Sequence, residues 1–303
     1  DGLPVLAQYS PGIQAVGQRN GTQYGIPAAV NAMGIVYNVD IFDELGVEIP
    51  RTVSELEAIT QVIADAGYIP FAAYYNDVWT LRHLFSQVHT PLVEDISVFV
   101  SEMDSGMRDT FEVDGVDRAL DVVDLMNGNV QERPFDSTFG DATALMAQGE
   151  IAMIIQGIWA VGNITNINPD FNPGLFAVPV NEDPSAPRLA VDSSVVWSVH
   201  AGGEHVDEST AFLDWLMDLE QMQVLGSEAG SNMAVNGFQA TGAIAPISAV
   251  MQDYMSQGLT HRWGFAAWPS GFDMNVVAPA MQNYLRTGDR DALFDEIDSQ
   301  YPN

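Results

Sequence analysis

Residues 24–59 read YGIPAAVNAMGIVYNVDIFDELGVEIPRTVSELEAI, in which a strand pattern is followed by a helix pattern. The run GIVYNV at 34–39 is short, β-branched and aromatic, as is typical of a buried strand. Further on, Thr52 is followed three residues later by Glu55, which is the spacing of a capping box. Because regularly spaced apolar residues follow Glu55, a helix is predicted to begin there.

The alternation of strands and helices continues to the C-terminus and indicates an α/β fold. Residues 68–74 predict the next strand, and a strand–helix–strand unit adopts a right-handed parallel crossover by default. Further strands are predicted at 150–155, 174–180 and 191–199, and helices at 141–148, 207–222 and 289–301. Trp197 and Trp215, within two of these elements, are expected to pack in the core. The length of 303 residues suggests about two domains.

The composition excludes several functional classes. The chain has 41 acidic residues against 10 basic ones, all of them arginine, and a net charge of −31. Such a chain lacks the basic face through which proteins bind nucleic acids. Without lysine or cysteine there is no P-loop lysine, no Schiff base, no disulfide and no thiolate metal site. No apolar run reaches the roughly 18 residues of a membrane span.

Neither a metal site nor a catalytic motif stands out. The histidines lack the spacing of a zinc site. The acidic residues between Asp114 and Asp124 have helical spacing but no EF-hand loop, so they predict a solvated acidic face. A glycosidase needs only two well-placed carboxylates, and a sequence with 41 acidic residues does not reveal such a pair. A glycoside-active enzyme therefore remains an alternative.

Tryptophans provide the most informative functional pattern. Trp79 and Trp159 each follow a predicted strand, and Trp263 and Trp268 lie in the irregular segment HRWGFAAWPSGFD at 261–273. Ligands of open α/β sheets bind beyond the carboxyl ends of strands. Exposed aromatic faces there suit the C–H faces of a sugar ring, so these four residues are candidates for sugar contacts.

The chain resembles the extracellular solute-binding proteins of ABC importers, in the carbohydrate-binding group that includes maltose-binding protein. The resemblance rests on residues 24–59 and on four further stretches, in the family's order along nearly the whole chain. These are YIPFAAYYNDVW at 68–79, FGDATALMAQGEIAMIIQGIWAVGNI at 139–164, FLDWLMDLEQMQVLGSEAGSNMAVNGF at 212–238 and YLRTGDRDALFDEID at 284–298.

The resemblance implies a two-lobe, periplasmic-binding-protein-like α/β fold of type II, closing on its ligand about crossing strands. Lobe one is expected to comprise residues 1–29 and 193–245, and lobe two residues 30–192 and 246–303. The chain starts at Asp1 and lacks the strand–helix units with which the family begins, so lobe one is expected to be incomplete.

The resemblance also implies a function and a set of site residues. The implied protein binds a sugar or oligosaccharide, delivers it to the membrane permease of an ABC importer and works as a monomer without cofactor, metal or catalytic residue. Its location is extracytoplasmic, either periplasmic or as a cell-surface lipoprotein. A non-sugar solute, such as a polyamine or a peptide, is the other alternative. The implied ligand contacts are the tryptophans at 79, 159, 263 and 268, with Asn31, Asp77 and Asp192 as hydroxyl partners.

Overall fold

The computed structural model describes residues 4–9, 16–19, 22–185 and 187–302. Within these ranges, the strands are β1 (Gln18–Arg19), β2 (Thr22–Gln23), β3 (Ile26–Asn38), β4 (Ile69–Phe71), β5 (Ile151–Gly157), β6 (Pro173–Phe176), β7 (Leu189–Trp197) and β8 (Thr260–His261). The α-helices are α1 (Val39–Leu45), α2 (Val53–Asp65), α3 (Leu81–His89), α4 (Ile96–Asp104), α5 (Val116–Asn127), α6 (Phe139–Ala147), α7 (Trp159–Thr165), α8 (Val206–Leu216), α9 (Leu219–Ala229), α10 (Ile244–Ser256), α11 (Gly264–Ala267), α12 (Ala278–Thr287) and α13 (Arg290–Ser299). Short 3₁₀ turns occupy Pro4–Gln8, Val78–Thr80 and Thr90–Leu92, and a π-helical turn occupies Asp273–Val277.

Strand β3 lies at the centre of a six-stranded mixed sheet ordered β4-β5-β3-β7-β8, with β6 also paired to β3. β3 is antiparallel to β5, β6 and β7, whereas β4 is parallel to β5 and β7 is parallel to β8. All 13 residues of β3 are buried. Burial on both faces explains why its sequence is an almost continuous apolar run.

The predicted parallel crossover between the strands at 34–39 and 68–74 is wrong. Both strands are present, but β5 lies between them, antiparallel to β3 and parallel to β4, so β3 and β4 are antiparallel to each other. Apolar periodicity identifies a strand, but the neighbour of that strand depends on a segment roughly 80 residues further along the chain.

Helices cover both faces of the sheet. On one face, Ile35 and Tyr37 of β3 belong to a large apolar core formed with α2, α3, α5, α12 and α13. On the other face, Ala32 and Val36 pack with α6, α7 and α10. The alternation follows from the two-residue period of a strand. No helix in the described ranges is long and apolar enough to cross a membrane.

Capping boxes begin two of these helices. The Thr52 hydroxyl accepts a hydrogen bond from the Glu55 amide at 3.1 Å, and the Glu55 carboxylate accepts one from the Thr52 amide at 3.3 Å, as predicted. A second box joins Thr138 and Asp141, so α6 begins at Phe139, two residues before the predicted start. Both boxes satisfy amide groups that the first turn of a helix leaves unpaired.

A smaller apolar cluster packs around the first half of β3. It joins Val5 and Ile26 to Met217, Met222 and Met233. The predicted helix 207–222 is in fact two helices, α8 and α9, which meet at Met217 and Asp218. Apart from Val30, the buried residues of this cluster lie within the residues assigned above to lobe one, and those lobe boundaries stay a prediction.

The predicted core positions of Trp197 and Trp215 are wrong. Trp215 is 56% exposed and Trp197 is 38% exposed. Helix α8 buries Leu213, and the following turn buries Met217, four residues further on. The buried face of α8 is therefore the one that carries Leu213, and Trp215 lies away from it.

The acidic side chains of α5 are paired with arginine rather than simply solvated. Arg290 of α13 contacts Asp121 at 2.7 Å and Asp124 at 2.6 Å. Arg118 contacts Asp121 and also Glu57 of α2, each at 2.8 Å. Because one carboxylate is shared by two guanidinium groups, this network ties α5 to its neighbours on both sides.

His89 lies at the centre of the large core, stacked on Phe85 with ring centroids 5.1 Å apart. Its Nε2 lies 2.8 Å from the Phe111 carbonyl oxygen, to which only a protonated nitrogen can bond. Burial lowers the pKa of His89 to about 4. The folded protein therefore holds this ring neutral at pH values where the unfolded chain would protonate it.

This lowered pKa predicts acid lability. A histidine with a pKa near 6.5 unfolded and about 4 folded stabilises the fold above pH 6.5, and that contribution is lost as the pH falls towards 4. Between pH 7 and pH 5, we expect the free energy of unfolding to fall by about 2 kcal/mol because of His89.

Urea titrations at both pH values measure this loss. His89→Phe should reduce the pH dependence by that amount, whereas His205→Phe, at a side chain that is 77% exposed, should leave it unchanged. Equal pH dependence in the wild type and His89→Phe would contradict the assignment.

Candidate functional site

Five rings from three parts of the chain form what we call the aromatic group. Four of them make a closed circuit, with centroid distances of 5.7, 5.9, 5.4 and 4.9 Å between successive rings, and the fifth lies 5.3 Å from the ring of His83. The circuit is His83, Trp159, Trp263 and Phe265, and the fifth ring is Trp79. The structure thus brings three of the predicted tryptophans together.

Trp159 owes its position to the end of β5. Its ring lies directly over Gly157, where an added Cβ atom would come within 2.1 Å of two ring carbons. Only glycine leaves room for the indole at that point. Between these two residues, the amide of Ile158 donates to the Ala32 carbonyl of β3 at 3.0 Å, which fixes the turn from strand to helix α7.

The segment carrying Trp263 and Phe265 is held against helix α3. The Gly264 amide donates to the Ser86 hydroxyl at 3.0 Å, and an added Cβ on Gly264 would lie 2.2 Å from the Thr90 hydroxyl oxygen. This close approach places the two rings beside His83, which lies one turn earlier on α3.

Asp192 connects the aromatic group to the central strands. Its Oδ2 accepts a hydrogen bond from the Trp263 amide at 3.3 Å and one from Arg262 Nε at 3.1 Å. Asn31 lies opposite Asp192 in the pairing of β3 with β7, and its Nδ2 donates to the Ser194 hydroxyl at 2.7 Å. Two predicted polar residues are therefore neighbours beside the aromatic group.

Arg82 adds a charge that the sequence did not single out. Its guanidinium lies 4.9 Å from the centre of the Phe265 ring and pairs with Asp273. The Arg82–Asp273 pair, like the Arg262–Asp192 pair, combines one positive and one negative charge. Three buried polar atoms in this region make no hydrogen bond within the described residues, namely Asn31 Oδ1, Arg82 Nε and Trp263 Nε1.

His83 is 5% exposed, and burial together with the charge of Arg82 lowers its pKa to about 3. Its Nδ1 lies 3.0 Å from the amide oxygen of Gln156. Neither residue was predicted from the sequence. The available signal was Gln156 itself, a polar residue in an otherwise apolar strand, directly before the glycine on which Trp159 rests.

The structure leaves two of the predicted residues outside this arrangement. Trp268 is buried in the large core, 5.8 Å from Phe85 and 5.9 Å from Phe111 between ring centroids, and is omitted from the site proposed below. The Asp77 carboxylate accepts a hydrogen bond from the Phe139 amide at 2.6 Å, at the start of α6. This hydrogen bond helps to position Phe139 against Trp79.

A separate surface groove of about 720 Å³ contains no residue of the aromatic group. Its walls combine apolar side chains with an excess of carboxylates, and are formed by Leu92, Val93, Glu94, Asp95, Val98, Phe99, Glu102, Arg108, Glu112, Val113 and Asp114. The aromatic group is the better candidate site because aromatic faces and buried unpaired polar atoms converge there.

Comparison with known proteins identifies the family. The sequence model described as bacterial extracellular solute-binding protein matches residues 2–223. The chain belongs to this family. This solute-binding protein is 23% identical over 283 residues to the multiple sugar-binding protein of Streptococcus mutans, an alignment covering 91% of the chain and 65% of that relative. The chain thus spans less than two thirds of the relative's length.

Solved structures show the same fold. RafE of Streptococcus pneumoniae in its apo form superposes with a TM-score of 0.77 at 24% identity, over 98% of this chain and 76% of RafE. A chitin oligosaccharide binding protein gives 0.82 at 20% identity, over 98% of this chain and 75% of its own. A sugar transporter of Bacillus licheniformis in complex with stachyose gives 0.80 at 18% identity, over 98% and 78%. The predicted type II periplasmic-binding-protein-like fold is confirmed.

Gly157 provides a test of how the site is built. Gly157→Ala should displace the Trp159 ring, because the new Cβ would overlap it. We expect a changed near-ultraviolet circular dichroism spectrum and tryptophan emission while the far-ultraviolet spectrum stays that of the wild type.

Gly162→Ala is the matched control in helix α7, because no atom lies within 4 Å of the added Cβ there. It should leave the spectra unchanged and stabilise the helix by up to about 1 kcal/mol. If both variants gave wild-type spectra, the contact between Gly157 and Trp159 would not exist in solution.

Proposed function

We propose that this protein binds a sugar or oligosaccharide at the aromatic group and delivers it to the membrane permease of an ABC importer. The observation that carries the proposal is the convergence of Trp79, Trp159 and Trp263 with unpaired polar atoms beside the central sheet. The apolar faces of sugar rings stack on such aromatics, and sugar hydroxyls pair with buried donors and acceptors.

The free energy available from these contacts is large enough for a binding protein. Each aromatic contact adds about 0.5–1.5 kcal/mol beyond the burial of apolar area. Two or three such contacts, together with hydrogen bonds, supply much of the roughly 8 kcal/mol that corresponds to micromolar affinity. The family is one of binding proteins. We infer that the protein binds its ligand and does not catalyse a reaction on it.

Binding is coupled to closure of two lobes. We take lobe one as 1–29 with 193–245 and lobe two as 30–192 with 246–303, so that β3 and β7 cross between them near Asn31. A ligand that contacts both lobes favours the closed state of a pre-existing equilibrium. On the extracytoplasmic side of the membrane, the closed monomer then delivers the bound saccharide to the permease.

Names of relatives support the choice of a sugar. The Streptococcus mutans relative is named a multiple sugar-binding protein, and a structure of RafE contains raffinose. Raffinose, stachyose and chito-oligosaccharides are therefore the first probes. The local charge also favours a neutral ligand over a polyamine, since Arg82 and Arg262 are each paired with one aspartate.

Tryptophan fluorescence and isothermal titration calorimetry with these saccharides test the proposal. We expect saturable binding, and Trp159→Ala should weaken it by about tenfold or more because a stacking face is lost. Trp215→Ala removes an indole that is exposed outside the site and should bind like the wild type.

Chromatography of the titrated mixtures distinguishes the alternatives. Saccharide recovered intact supports a binding protein, whereas cleaved saccharide would identify a glycoside-active enzyme. No response to any saccharide would redirect the search to a non-sugar solute, and unchanged affinity of Trp159→Ala would remove Trp159 from the site.

A further inference from the structure

A chain of hydrogen bonds leads from the backbone of β5 to the aromatic group. It begins at the Ile155 carbonyl oxygen, which can only accept, so the Tyr74 hydroxyl must donate to it at 2.8 Å. Burial raises the pKa of Tyr74, which keeps the phenol protonated. The Tyr74 oxygen is then free to accept from Gln156 Nε2 at 3.4 Å.

A second backbone group fixes the same amide independently. The Gly157 N–H can only donate, and it does so to Gln156 Oε1 at 2.9 Å. Turning the amide over would set its NH₂ group against this N–H, donor against donor. Both backbone anchors therefore require the same orientation, with the oxygen of Gln156 directed at His83.

The orientation of Gln156 determines where His83 carries its proton. The Gln156 oxygen accepts, so the Nδ1 atom 3.0 Å away must be the protonated nitrogen. The lowered pKa keeps the ring neutral at ordinary pH. Nε2 is consequently an unprotonated acceptor, and it makes no hydrogen bond to any of the described residues.

We propose that His83 is a specificity-determining residue whose Nε2 accepts a hydrogen bond from a ligand hydroxyl. The His83 ring packs against those of Trp79, Trp159 and Phe265, so it is part of the aromatic group at which the ligand is proposed to bind. Gln156 is the positioning residue that holds the ring in this tautomer. The site thereby favours a neutral saccharide that donates an O–H at this point, and disfavours a ligand that presents a carboxylate or a methylated oxygen there.

This inference rests on the proposed function for its ligand, but its first test needs no ligand. Long-range ¹H–¹⁵N correlation spectra of the protein labelled with ¹⁵N-histidine report which ring nitrogen is protonated, and His83→Gln assigns the His83 signals by their loss. We expect protonated Nδ1 and unprotonated Nε2. Protonation at Nε2 would overturn the inference.

The second test measures affinity for whichever of raffinose, stachyose or a chito-oligosaccharide the wild type binds. His83→Phe keeps a ring but removes the acceptor, and Gln156 retains its bond from Gly157, so the fold is preserved. Affinity should fall by about tenfold. His83→Gln, which can place an amide oxygen near the lost Nε2, should restore part of it, and the exposed-site control His205→Phe should bind like the wild type.

The possible results distinguish the proposed role of His83 from the proposed function of sugar binding. Wild-type affinity in His83→Phe would overturn the role of His83 while leaving sugar binding established. A wild-type protein that binds none of the saccharides would overturn the proposed function, and the inference with it, whatever the tautomer. The expected tautomer together with a selective loss in His83→Phe would support both.

Discussion

The central sheet and the candidate site depend on the hydrogen-bonded pairing of β3 along both of its edges. A strand with 13 buried residues leaves many backbone N–H and C=O groups without water, and each needs a partner. β7 supplies partners from Ile26 to Met33, and β5 and β6 supply them along the second half. Each neighbouring strand comes from a different part of the chain. The backbone hydrogen bonds of β3 therefore bring together segments that are far apart in sequence.

The candidate site is a consequence of these pairings. The register with β7 sets Asn31 opposite Asp192, and the register with β5 sets Met33 opposite Gly157, where the strand gives way to Trp159. Polar residues within two central strands thus meet an aromatic residue that follows a third strand, without any local sequence signal joining them. The glycine under Trp159 and the glycine against α3 then fix how closely the rings approach.

The sequence was informative where structure is local. The capping box of α2, the strand at 34–39 and the position of Trp159 after its strand needed only nearby residues. Strand order was not predictable in this way, because the neighbour inserted between β3 and β4 follows both in the chain. The burial of Trp268 in the core was not predictable for the same reason, since its partners Phe85 and Phe111 come from distant segments.

The charges beside the candidate site differ from the net charge of the chain. The chain carries −31 overall, yet beside the aromatic group two arginines are each paired with an aspartate. Within these pairs the charges cancel, and His83 beside them is held neutral by its burial. Recognition at such a locally balanced site depends on the direction of hydrogen bonds rather than on attraction between charges. The Gln156 amide sets the direction of the hydrogen bond at His83, and it is anchored to backbone groups of β5. In the proposed site, the strand that ends beside Trp159 therefore also determines which hydrogen-bonding group of a ligand is accepted.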